Sequence, residues 1–195
     1  MLDYLFTNAT IVDGTGAPAY QGTVGIEGDQ IVTIIRDGSA LPEAKKVIDA
    51  TGKVLCPGFI DIHSHADETV TVWPNVDNCL VQGVTTFVGG NCGGSEAPSK
   101  AFPAMADFLA AVEQARPSIN SATLVGHGTV RKAVMGYSRD EATDEQIAQM
   151  QALTAKAMEE GAFGISTGLI YPPSCYSTTD ELVRVVSAVA PYGGY

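Results

Sequence analysis

Three histidines occur in the 195 residues, and two of them, His63 and His65, stand one residue apart. They close the run Phe59-Ile60-Asp61-Ile62-His63-Ser64-His65, which reads as a strand. Side chains alternate faces along a strand, so positions 61, 63 and 65 point the same way. Imidazoles converging on one side suit a divalent metal such as zinc. The spacing is equally that of two polar strand-end residues bonded locally, and a lone His-x-His does not decide between the two. Cys92 lies in Gly89-Gly90-Asn91-Cys92-Gly93-Gly94, directly after the apolar run Val84 to Val88. In β/α folds the loops at the carboxyl ends of the strands build the site, which puts Cys92 on the same rim as the histidine pair. A thiolate there would ligate a metal and could bridge two ions; the alternative is a small buried cysteine in a tight turn.

His127, in Gly126-His127-Gly128-Thr129, follows a further apolar run, Ala122 to Val125. It is a candidate substrate-orienting group or metal-supporting group, or else a helix-start histidine satisfied by backbone. Tyr171 sits in Thr167-Gly168-Leu169-Ile170-Tyr171-Pro172-Pro173. On this proline-stiffened loop its hydroxyl could meet a substrate carbonyl, or its ring could simply pack. Cys79, between Val76 and Leu80, reads as core, and Cys56 and Cys175 receive no role. The chain has no Gly-x-Ser-x-Gly elbow and no phosphate loop.

The elements that must position these residues fall into two rhythms. Up to about residue 55 the chain is β-rich. Tyr4–Thr7, Thr23–Ile26, Gln30–Ile35, Lys45–Asp49 and Lys53–Leu55 are punctuated by turns such as Gly28-Asp29 and Asp37-Gly38. Pro57-Gly58 ends this module, giving expected domains of 1–56 and 57–195. Beyond it strands and helices alternate. Helices are expected at Val76–Gln82, Pro103–Ala115, Thr143–Glu160 and after Thr178, and strands at Phe59–His63, Val84–Val88, Ala122–Val125 and Phe163–Ser166. Thr143 with Gln146 and Thr178 with Glu181 have capping-box spacing. Ile147, Met150, Leu153 and Ala157 form one apolar stripe, and Leu182, Val185, Val186 and Val189 form another. Such alternation implies an α/β fold with a parallel sheet. Four β/α units are half of an eightfold (β/α)8 TIM-type barrel, which takes about 250 residues; an open doubly wound sheet is the other solution.

Composition narrows the function classes. Eleven Lys and Arg against 22 Asp and Glu give a net charge of −11, which argues against a nucleic-acid-binding surface and an anionic membrane surface. With 45% hydrophobic and 17% charged residues the chain can bury a core, unlike a disordered segment. No apolar run approaches the ~18 residues of a spanning helix, and the opening Met1-Leu2-Asp3-Tyr4 lacks the features of a signal peptide. Four scattered cysteines do not make a disulfide scaffold. A cytoplasmic address is expected.

Taken together these motifs resemble the amidohydrolase superfamily and, within it, the N-acyl-D-amino-acid deacylases (D-aminoacylases). The resemblance runs from Ile11-Val12-Asp13-Gly14-Thr15-Gly16 through Pro57–His65, Gln82–Thr86, Gly90-Asn91-Cys92-Gly93 and Gly126–Thr129 to Ser166–Pro173. It implies a metal-dependent β/α barrel flanked by a small β-sandwich, to which residues 1–56 contribute one part. It implies one or two zinc ions held by His63, His65 and Cys92, and a substrate contact from Tyr171. The fourth-strand run Phe163–Ser166 has no lysine, whereas other branches bridge their metals there with a carboxylated lysine. The implied reaction is hydrolysis of N-acyl-D-amino acids, small-molecule substrates, by a metal-activated water attacking the acyl carbonyl. Two further metal histidines and a general-base aspartate belong to later strands of the family and are expected beyond Tyr195, making this chain an N-terminal portion. A cyclic-amide hydrolase of dihydroorotase or hydantoinase type, and a non-catalytic barrel scaffold, are the competing readings.

Overall fold

Leu5, Thr7, Ala9 and Ile11 are buried while the residues between them are less so, the period-two pattern of a half-buried strand. The computed structural model, which describes residues 1–36 and 38–195, extends this strand to Leu2–Ile11 (β1). It is followed by β2 (Tyr20–Glu27), β3 (Gln30–Ile35), β4 (Ala44–Asp49) and β5 (Val54–Leu55). The sheet order is β3-β2-β1-β4, with β5 also on β1. β2 runs antiparallel to both β1 and β3, whereas β4 and β5 run parallel to β1. The register of β1 on β2 shifts between Phe6 and Ala9, where Asn8 adopts φ 58° and its amide reaches Asp49 Oδ1 at 3.0 Å. Ala9, Ile11, Val24 and Ala50 form the small core of this unit. Asp37 of the expected Asp37-Gly38 turn lies outside the described residues.

The chain divides into the units Met1–Pro57 and Gly58–Tyr195. In the second, β6 (Phe59–Asp61), β7 (Val84–Gly89) and β8 (Asn120–Thr123) form a parallel sheet in that order. β9 (Val125–Gly126) pairs in parallel with β10 (Ile165–Ser166). The expected single strand Ala122–Val125 is thus split at Leu124. Leu124 N–H still donates to Gly89 O at 3.0 Å, whereas Val125 N–H donates to Gly164 O at 2.9 Å, as the chain hands over from one neighbour to the next. Tyr195 exchanges backbone bonds with Phe163 and Ile165 beside β10.

The helices are α1 (Asp77–Leu80), α2 (Met105–Ala115), α3 (His127–Met135), α4 (Asp144–Glu159) and α5 (Thr179–Val186). α3 is the helix the periodicity did not announce. The capping box of α4 forms as expected, Thr143 Oγ1 accepting from Gln146 N–H and Gln146 Oε1 from Thr143 N–H. Thr178 Oγ1 likewise accepts from Glu181 N–H. α5 is shorter than its apolar stripe, and Val189 is buried from a following 3₁₀ segment, Ser187–Tyr192. Phe87, Phe108, Val125, Val130, Ile147, Met150 and Val185 join strands and helices in one core, which makes this unit a mixed α/β structure. No helix among the described residues is long and apolar enough to cross a membrane.

Candidate metal centre

β6 ends at Asp61, earlier than expected. The Asp61 carboxylate accepts the His63 backbone N–H at 3.1 Å, a local turn that competes with the ladder. Ser64 N–H then rejoins Val88 O at 3.1 Å. His63 and His65 therefore project from a turn tied to the end of β7. His63 Nε2 lies 3.3 Å from Cys92 Sγ, and the two imidazole rings stand edge to face, 5.9 Å apart. One ligand atom from each of His63, His65 and Cys92 falls within 4.8 Å of the others. His65 Nδ1 is 3.8 Å from Glu68 Oε1.

Cys92 reaches this point because its loop is pressed flat. Cys92 itself takes φ 56° and Gly93 φ 76°. Gly93 N–H donates to Ser166 Oγ at 2.9 Å at the end of β10. A Cβ on Gly93 would meet Gly168 N at 2.7 Å, so only glycine permits both this φ and this approach. Behind the loop, Asp67 is 3% exposed, and burial pushes its carboxyl above the usual carboxylate range. Glu96 is pushed up too, by burial and then by the carboxylates of Asp67 and Glu68.

A cavity of about 320 Å³ opens beside the cluster, lined among others by His65, Cys92, Lys132, Tyr137 and Tyr171. Tyr171 is 56% exposed and so free to face a ligand. His127 is elsewhere. As the first residue of α3 it has no solvent exposure. Its Nδ1 lies 3.3 Å from Ser174 Oγ and its Nε2 3.2 Å from Glu181 Oε1. The expectation that His127 touches substrate meets a ring with both nitrogens already engaged inside the protein. Its partners are side chains rather than the backbone that a helix start offers.

Glu181 Oε1 also accepts from Arg131 Nε at 3.0 Å and from Ser177 Oγ at 2.8 Å. Arg131 spends its remaining nitrogens on Ser138 O and Asp140 O, at 2.9 and 2.8 Å. Burial lowers the His127 pKa despite the pull of Glu181, with Arg131 adding to the fall. A neutral ring that donates from Nε2 to Glu181 Oε1 and accepts at Nδ1 from Ser174 accounts for both of its contacts, while Glu181 Oε2 is buried without a partner among the described residues. Sequence reasoning missed Asp67, Arg131 and the buried role of Glu181. For Glu181 the only signal was its capping position, and for Asp67 its place two residues after the histidine pair.

Comparison with known proteins follows the same lines. The amidohydrolase family model matches residues 46–190. D-aminoacylase of Alcaligenes xylosoxydans xylosoxydans is 37% identical over 98% of this chain and 43% of its own length. The N-acyl-D-aspartate deacylase of the same organism is 39% identical over 94% of this chain and 40% of its own. A crystal structure of D-aminoacylase superimposes with a TM-score of 0.91 at 38% identity, covering 100% of this chain and 44% of that one. N-acyl-D-glutamate deacylase from Bordetella bronchiseptica, complexed with zinc and a phosphonate mimic of the tetrahedral intermediate, gives 0.91 at 35%, covering 98% and 43%. The chain thus spans less than half the length of these relatives. It belongs to the amidohydrolase family.

Proposed function

We propose that the protein containing this chain is a zinc-dependent hydrolase of the amide bond of N-acyl-D-amino acids. The observation that carries the reading is the convergence of His63, His65 and Cys92 within 4.8 Å, on a fold so close to that of D-aminoacylase. Two imidazole nitrogens and a sulfur are a donor set that zinc accepts. Their exposure on one side leaves room for water and substrate, as catalytic rather than structural zinc sites require. The zinc of the deacylase complex and the binuclear centre of a D-aminoacylase structure support one or two ions. When bound, such a cation polarises a carbonyl and lowers the pKa of water to about 7.

The residues of this chain would divide the remaining work. His63, held by Asp61, with His65 and Cys92 would hold the cation. Glu68, near His65 Nδ1, would orient that ring. Tyr171 would donate a hydrogen bond from its hydroxyl to the acyl oxygen and stabilise charge developing there. His127 would brace the wall that carries Tyr171, through Ser174, rather than touch substrate. Proton transfer to the leaving amine is assigned to an aspartate outside this chain. The same reading makes residues 57–195 the first four β/α units of a barrel, supported by the parallel pairing of β6-β7-β8 and β9-β10. It makes residues 1–56 one part of a β-sandwich. A small-molecule substrate and a cytoplasmic address complete it, the latter supported by four unpaired cysteines.

The deciding experiment offers the complete protein N-acetyl-D-amino acids, their L-enantiomers, dihydroorotate and hydantoins. Release of free D-amino acid supports the proposal; turnover of the cyclic compounds alone overturns it in favour of a cyclic-amide hydrolase.

A further inference from the structure

The loops carrying the histidine pair and Cys92 are joined by more than the candidate centre itself. Ser64, between the two histidines, donates its N–H to Val88 O at 3.1 Å. The Asn91 amide, 7% exposed, bridges Val88 O at 2.7 Å and Ser64 O at 3.3 Å. The third link is Asp67, in the 3₁₀ turn that begins directly after His65. Its Oδ2 accepts the Gly90 N–H at 2.9 Å. Gly90 has φ 71° and lies two residues before Cys92, the point where the loop leaves β7.

The fit is close. A Cβ on Gly89 would stand 2.6 Å from the Asp67 carboxyl carbon, so the carboxyl lies flat over a glycine backbone. The other oxygen, Oδ1, is buried without a hydrogen-bond partner among the described residues. A buried carboxyl with an orphaned oxygen is costly, so its bond to Gly90 calls for a role. Here that bond spans the two ligand-bearing loops.

We propose that Asp67 is a positioning residue for the metal centre. By accepting the Gly90 N–H it holds the Cys92 loop at the height where the sulfur meets the two imidazoles. The inference rests on the proposed metal reading but concerns a side chain outside the ligand set. The acting feature is the hydrogen bond and not the charge, so an isosteric amide that still offers an acceptor oxygen should replace it. Outer partners of this kind are typically worth 10–100-fold in metal affinity.

The test titrates cobalt(II) into the metal-free protein and follows the thiolate-to-cobalt charge-transfer absorption, a direct report of the Cys92 sulfur on the ion. The expected result is an affinity 10–100-fold weaker in Asp67→Ala, with reduced charge-transfer intensity at saturation, and Asp67→Asn within about threefold of wild type. Circular dichroism checks that each variant is folded; should Asp67→Ala fail to fold, Asp67→Ser takes its place beside Asp67→Asn. Affinity and spectrum unchanged in folded Asp67→Ala or Asp67→Ser would overturn the positioning role and leave the centre standing. An Asp67→Asn variant as weak as Asp67→Ala would also overturn it, by assigning the effect to charge. The absence of a thiolate band in wild type, or its survival in Cys92→Ser, would instead remove the metal reading beneath it.

Discussion

The same residue type meets opposite surroundings at two places in the second unit. His63 and His65 are exposed, and their nearest functional neighbours are each other, Cys92 and Glu68. His127 has no exposure, and Ser174 and Glu181 engage both of its nitrogens. The first arrangement leaves donor lone pairs free on an open side, which a cation can use. The second uses every donor and acceptor of the ring and joins α3 to α5 and to the loop of Tyr171. Chemical capacity here follows from unspent valence and access, not from residue identity.

The largest effect should come from breaking the open cluster. Cys92→Ala or His65→Ala in the complete protein should lower zinc content and hydrolytic activity together, by orders of magnitude, with little change in stability. Metal analysis beside a kinetic assay checks this, and equal zinc stoichiometry in wild type and variant would refute the ligand assignment. Next comes the closed network. Glu181→Ala strands Arg131 and leaves Ser177 and His127 without their acceptor in the core. A loss of about 3–5 kcal/mol is expected by urea denaturation. Arg184, which pairs with Asp144 at 2.7 Å while that partner is 90% exposed, is the contrast: Arg184→Met should leave the unfolding midpoint within experimental error.

A subtler effect than the loss of Glu181 is a pH dependence. The folded His127 pKa lies below the ordinary imidazole value of 6.5 because burial, aided by Arg131, outweighs Glu181. As pH falls, the unfolded chain therefore takes up a proton before the folded one does. The stability that this ring contributes is complete above about pH 6.5 and is lost as pH falls from there through the folded value. His127→Asn should flatten that part of the stability profile, measured as its difference from wild type. An unchanged slope would mean that the ring is not neutral in the folded protein.

Much of the site could be read without coordinates because local rules decide it. His63, His65 and Cys92 do come together, as the His-x-His spacing and the loop after Val84–Val88 suggested, but the histidines stand on a turn after Asp61 and not on a continuing strand. The caps at Thr143 and Thr178 depend on residues three apart and formed as expected. One error was local, the Asp61 turn that ends β6 early; the others fell where distant segments compete. The run Ala122–Val125 is split because its two halves bond to different neighbours. Helix α3 carries Gly128, and its buried face includes His127 and Arg131 beside Val130, so no apolar stripe marks it. Its fully buried arginine is paid for by Glu181 some 50 residues later.

By itself the sequence determined which residues could ligate a metal, the change from β-rich to β/α rhythm near Pro57, and the likeness to the deacylases. These depend on residue type and spacing over a few positions. Only the tertiary structure decided that His127 is sealed inside and that Asp67 bridges two loops. It also decided that Glu181, which the sequence offers only as a capping residue, holds a buried network together. Burial and the remaining partners of a polar group depend on segments far apart in the chain, and no local spacing encodes them.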